Sequence, residues 1–109
     1  MKKGKVRWSA PFVRVERRML FKSDEWKQLS PRAKILYLYI KAKYNGTNNG
    51  HIRLYYSELK KIRGFKSYFV ISAAFKELEG KEWINRTQLG GLYRHFNEYR
   101  LTGKYDSMI

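Results

Sequence analysis

Cysteine is absent from this sequence, which excludes disulfides, thiolate metal sites and thiol nucleophiles and leaves packing alone to hold the fold. Histidine is almost absent. His51 and His95 are the only two, and their separation fits no metal-ligand spacing, so neither a metal nor another cofactor is expected. No apolar run reaches the roughly eighteen residues that a membrane-spanning helix needs. The basic start, Met1 to Arg7, is not followed by the apolar stretch of a secretory leader, so a cytoplasmic protein with no membrane partner is expected. Proline occurs twice, and no Pro-, Gly- or Ser-rich stretch divides the 109 residues, which fit one domain with one core. A glycine-rich phosphate loop ending in Lys-Ser or Lys-Thr is missing, which argues against nucleotide hydrolysis. The pair Tyr55-Tyr56 could supply a DNA-nicking nucleophile, but no general base or metal set accompanies it, and an enzyme is not expected.

The scarcest class relative to its opposite is the acids. Nine Asp and Glu face twenty-four Lys and Arg, a formal net charge of +15. So lopsided a balance in so short a chain points to a polyanionic partner. The excess is loaded toward the start: residues 1 to 22 hold eight basic residues against Glu16 alone, residues 65 to 109 seven against five acids. Hydrophobic residues make up 43% and aromatics 17%, enough apolar surface for a folded core.

Residues 1 to 18 read as a basic arm and lead-in, with an extended stretch expected from Phe12 to Phe21, where the apolar residues keep no single period. Ser23 caps a short helical turn through Trp26. Ser30-Pro31 joins a capping hydroxyl to a proline at the first helical position and predicts a helix over 31–43. Ala33, Leu36, Tyr37, Ile40 and Tyr44 form its buried stripe, while Arg32, Lys34, Lys41 and Lys43 are expected to face outward. Asn45-Gly46 and Asn48-Asn49-Gly50 are turn signals. A brief strand or connector follows over 51–54, then a poorly capped second helix over 56–63 with Leu59 and Ile62 inward. Gly64 ends it, Ser67 caps a third helix over 68–80, and Gly80 is expected to close that helix. Trp83 to Leu89 and Leu92 to Leu101 then read as strands joined by a two-residue turn at Gly90-Gly91, and 102–109 as a loose tail.

This order resembles that of a group of winged helix proteins from bacteriophages, plasmids and integrating elements. The resemblance spans residues 19 to 101. It is carried by Leu29-Ser30-Pro31-Arg32-Ala33 with Leu36-Tyr37, by Tyr44-Asn45-Gly46-Thr47-Asn48-Asn49-Gly50-His51-Ile52, by Ser67 opening the third helix, and by Lys76-Glu77-Leu78-Glu79 ahead of Trp83-Ile84. Tyr55 departs from it, standing where such proteins often have a capping Ser or Thr. The resemblance implies an α+β winged helix-turn-helix fold: three main helices and a C-terminal β-hairpin wing, flanked by the arm (1–18) and the tail (102–109). It also implies double-stranded DNA as partner, in transcription regulation, replication or conjugative transfer of a mobile genetic element.

The third helix divides into a core face, Val70, Ile71, Ala74, Phe75 and Leu78, and an opposite face of Tyr68, Phe69, Ser72, Ala73 and Lys76. With Lys66 and Ser67, the outer residues are the candidates for a DNA groove, although few hydrogen-bond donors stand among them. Phe69 fits a thymine methyl, a dimer interface or the edge of the core equally well. A two-residue turn would pair Arg86 with His95 and Gln88 with Tyr93, so that Arg86, Gln88, Gly90, Gly91, Tyr93, Arg94 and His95 form a candidate DNA-binding wing. Lys2, Lys3, Lys5 and Arg7 are candidates for phosphates or a minor groove. The wing and arm together are expected to supply much of the affinity. Two rival functions stand beside this one: RNA binding, since phosphate attraction does not distinguish the two acids, and an assembly module docking onto replication or transfer proteins through Tyr68 and Phe69. A homodimer and multiple copies on one duplex both fit these residues.

Overall fold

The computed structural model describes residues 12–88 and 96–109. Within them five helices surround a three-stranded antiparallel sheet, an α+β architecture: α1 (Arg17–Lys22), α2 (Asp24–Lys27), α3 (Pro31–Lys43), β1 (Ile52–Tyr55), α4 (Tyr56–Leu59), α5 (Tyr68–Gly80), β2 (Ile84–Gln88) and β3 (Phe96–Leu101). None of the helices is long and apolar enough to cross a membrane.

The two long helices begin and end where their caps place them. The Ser30 hydroxyl accepts the Ala33 N–H at 3.1 Å, and the Ser67 hydroxyl accepts that of Val70 at 3.2 Å. Along α3 the whole stripe Ala33, Leu36, Tyr37, Ile40 and Tyr44 is buried. On α5, Ile71, Ala74 and Leu78 are buried, and Val70 and Phe75 pack at the edge of the core. Ser30 also locks the two helices together: its N–H and its hydroxyl both donate to the Glu77 carboxylate of α5, at 2.8 and 2.7 Å.

Where the structure departs from the sequence-based expectations, tertiary packing overrides local signals. The lead-in is not extended throughout, because α1 forms over Arg17–Lys22 with Met19 inward. Six residues with one buried contact leave no periodicity to read, and a helix this short depends on its neighbours. The second helix stops at Leu59, and the chain continues through single turns, Ile62 N–H to Leu59 C=O and Phe65 N–H to Ile62 C=O, before Gly64 at φ 92° and a fully buried Phe65. Its missing cap is made good by Glu58, whose carboxylate accepts the Tyr55 N–H at 2.9 Å. Helix α5 does end at Gly80 as expected, although the left-handed residue that turns the chain away from it is Glu82 at φ 65°. Trp83 is a buried core residue just ahead of β2.

Strand β3 lies between β1 and β2. The Asn48-Asn49-Gly50 loop delivers β1 to it: both amide atoms of Asn49 bond the backbone of Leu101, at 2.8 and 3.1 Å. Ile52 and Leu54 face the core, and Arg53 and Tyr55 face out. The β2–β3 register corrects the pairing expected from a Gly90-Gly91 turn. Arg86 stands opposite Tyr99, not His95, with an irregularity between Arg86 and Gln88. The observed register sets Ile84 directly opposite Leu101, both buried, where the glycine-pair turn would have set Ile84 opposite Asn97, and this direct apolar pairing distinguishes the two.

The last eight residues do not form a loose tail, and Lys41 does not face outward. Asp106 is 2% and Lys41 3% exposed. The Lys41 ammonium lies 2.9 Å from Asp106 Oδ2, which also accepts the Tyr37 hydroxyl at 2.6 Å, while Asp106 Oδ1 accepts the Met108 N–H at 2.9 Å. Lys41 Nζ further donates to the Arg14 carbonyl, joining the lead-in to the tail. Tyr105 completes an aromatic cluster with Trp26, Tyr37 and Trp83, its ring centre 5.1 Å from that of Trp83. A lysine on the flank of α3 looks solvated in sequence; here it is buried because a carboxylate from the far end of the chain neutralises it.

Candidate nucleic-acid interface

From Leu59 to Lys76 the chain has no acidic residue and five basic ones: Lys60, Lys61, Arg63, Lys66 and Lys76. All five are exposed, and none forms an ion pair among the described residues. The local structure explains their direction. Leu59 and Phe65 are drawn into the core, Ile62 packs against it, and the intervening cations are turned to water around the approach to α5. Arg32 of α3 borders them and donates to the Gly64 carbonyl at 3.1 Å, fixing the turn.

The first turn of α5 continues this surface with rings. Tyr68 is 62% and Phe69 82% exposed, Phe69 being the most exposed large hydrophobic residue described. Tyr56, Tyr68 and Phe69 form a chain of ring contacts at 5.9 and 6.3 Å, with the Lys60 ammonium 5.4 Å from the centre of Tyr56. Ser72 is half-buried, and Ala73 and Lys76 are exposed farther along. Beside them an open groove runs between α5 and the start of α3, lined by Pro31, Arg32, Phe69, Ala73 and Glu77 among others.

The sheet side carries its charge differently. The Arg86 Nε lies 3.2 Å from Glu79 Oε2 of α5, so this guanidinium ties β2 to the helix, with its side chain 39% exposed. Arg53 and His51 both bond Glu98, at 2.7 and 3.2 Å, and these bonds, that from Arg53 foremost, hold the Glu98 carboxyl below the ordinary carboxylate range. Burial pushes the Glu77 carboxyl up, but the two bonds from Ser30 and the nearby Lys81 outweigh it, and the net shift is downward. Lys43 and the Tyr55 N–H likewise hold Glu58 down. The acids of the described chain are thus largely engaged by specific cations, and the stretch 59–76 stands apart in having none.

Of the residues expected to bind DNA, Lys66, Tyr68, Phe69 and Lys76 share one exposed surface, and the Ser67 hydroxyl is engaged in capping α5. Arg86 stands in the Glu79 pair instead. Gly90, Gly91, Tyr93, Arg94 and His95, the arm residues Lys2, Lys3, Lys5 and Arg7, and the side chain of Gln88 lie outside the described residues. Lys60, Lys61 and Arg63 were not among the candidates. The signal that finds them is the acid-free interval itself, which a helical wheel restricted to α5 does not reach. Among the described residues no group of three or more His, Cys, Asp or Glu is placed to hold a metal ion. Comparison with family models, curated proteins and solved structures returned no match for the chain.

Proposed function

We propose that this chain is a non-enzymatic, double-stranded DNA-binding protein of the winged helix-turn-helix type, with α4 and α5 as the helix pair and the β2–β3 hairpin as the wing. One observation carries this reading: the segment from Leu59 to Lys76, free of acids, exposes four cations ahead of the well-capped helix α5 and a fifth, Lys76, along it. A duplex backbone is a dense, regular array of negative charge, and a helix with cations at its N-terminal approach can lie against it while its first turn meets the base edges. The strand order β1-β3-β2 supports the same reading, since it sets the hairpin beside α5. In this arrangement Lys60, Lys61, Arg63 and Lys66 hold phosphates, and Arg94 with the arm lysines adds further charge from the sequence. Site-marking in the regulation, replication or transfer of a mobile element follows the sequence resemblance.

A salt titration on a duplex selected from a random pool tests the reading. Each phosphate contact contributes about −0.9 to the slope of log affinity against log salt. Replacing Lys60, Lys61, Arg63 and Lys66 together by alanine is expected to flatten that slope by about 3 to 4. An unchanged slope would overturn the assignment of these residues, and preference for an RNA duplex at equal salt would favour the RNA-binding alternative.

A further inference from the structure

We infer that α5 reads DNA mainly through apolar contact between Phe69, with Ala73 beside it, and the 5-methyl groups of thymine in the major groove. This rests on the DNA-binding reading above. Helix α5 contains no Arg, Asn or Gln. Those side chains, together with Lys, grip guanine or adenine edges through two hydrogen bonds, and on α5 only Lys76 remains for that role, so the polar code is thin. Among the polar groups at its start, the Ser67 hydroxyl is engaged by the Val70 N–H, and Ser72 is half-buried. Between the exposed Tyr68 and Lys76, the helix presents a ring 82% exposed at Phe69 and, one turn on, the exposed methyl of Ala73. In the major groove the single apolar group that base pairs offer is the thymine methyl.

Charge decides between a duplex and a second copy as the occupant of this strip. Phe69 stands between the exposed Lys66 and Lys76, with Lys60, Lys61 and Arg63 nearby in sequence and no acid anywhere in the interval. A second copy would bring the same cations against these, on a chain whose net charge is +15, whereas a polyanion neutralises them. The ring is also held in place. Tyr68 packs edge-on to Phe69 and against Tyr56, so the apolar tip is oriented before binding.

The test uses the selected duplex in two forms, one with thymine and one with deoxyuracil at the same positions. Base pairing is retained and only the methyl is lost. Burial of one methyl-sized group corresponds to about a fourfold change in affinity, so the intact chain is expected to bind the uracil form about fourfold more weakly for each methyl it contacts. The variant F69A is expected to lose most of this discrimination between the two forms; the side chain is so exposed that its removal leaves the core intact. Equal binding of both forms by the intact chain, with a steep salt dependence retained, would overturn this inference and leave the DNA-binding reading standing. Failure to bind any duplex would instead remove that reading and this inference with it. Loss of self-association in F69A by sedimentation, with thymine discrimination unchanged, would assign the strip to an interface between copies and overturn the inference.

Discussion

Glu77 illustrates how one side chain can tie distant parts of a chain together. Its carboxylate receives two hydrogen bonds from Ser30, across the α3–α5 boundary, while Lys81 stands 3.5 Å away. Hydrogen bonds to a charged group contribute about 1.5–3 kcal/mol. At neutral pH, Glu77→Gln is therefore expected to lower stability by about that amount, read from urea midpoints. The sign of the pH dependence follows from the downward shift. A carboxyl held below its ordinary value of 4.5 stabilises the fold above that pH, and the contribution is lost as pH falls through the folded value. The difference between wild type and variant should shrink on acidification below 4.5. A constant difference at all pH values would mean that the carboxylate's charge plays no part. Nothing in the sequence marks Glu77 for this role, because its partner is local to another helix.

The limits and apolar stripes of helices α3 and α5 were legible, Lys41 excepted, since a capping serine and a continuous apolar stripe act within one element. Ser67→Ala removes the α5 cap and is expected to lower stability by about 1 kcal/mol, within a range of 0.5–2, as measured by urea unfolding. A null effect would show that the cap is dispensable beside the packing of Ile71, Ala74 and Leu78. Elements whose limits are set from outside were not legible. Helix α4 ends at Leu59 because Phe65 must reach the core, and the β2–β3 register pairs Ile84 with Leu101 across the strands, which the glycine pair does not signal. The candidate site divides the same way. The outer residues of α5 came from its periodicity, whereas Lys60, Lys61 and Arg63 lie on turns that have no period, and the engagement of Arg86 by Glu79 depends on how β2 docks on the helix.

Across the whole molecule, positive charge is sorted by burial and partner. Lys104 and Glu82 pair on the surface, where water screens the bridge and it contributes little. Lys41 and Asp106 pair in the interior, where removing one partner strands the other charge, at about 3–5 kcal/mol. Asp106→Ala is accordingly expected to shift the urea midpoint far more than Lys104→Ala, and comparable shifts would show that water reaches the buried pair. That inner pair has a topological consequence. One ammonium is answered by the Arg14 carbonyl before the helices and by Asp106 after the sheet. Chain ends ordinarily fray independently of the body they leave. Here neither the segment at Arg14 nor that at Asp106 can loosen without uncovering a lysine that the other still encloses, so the two must open and close as one cooperative unit with the last turn of α3.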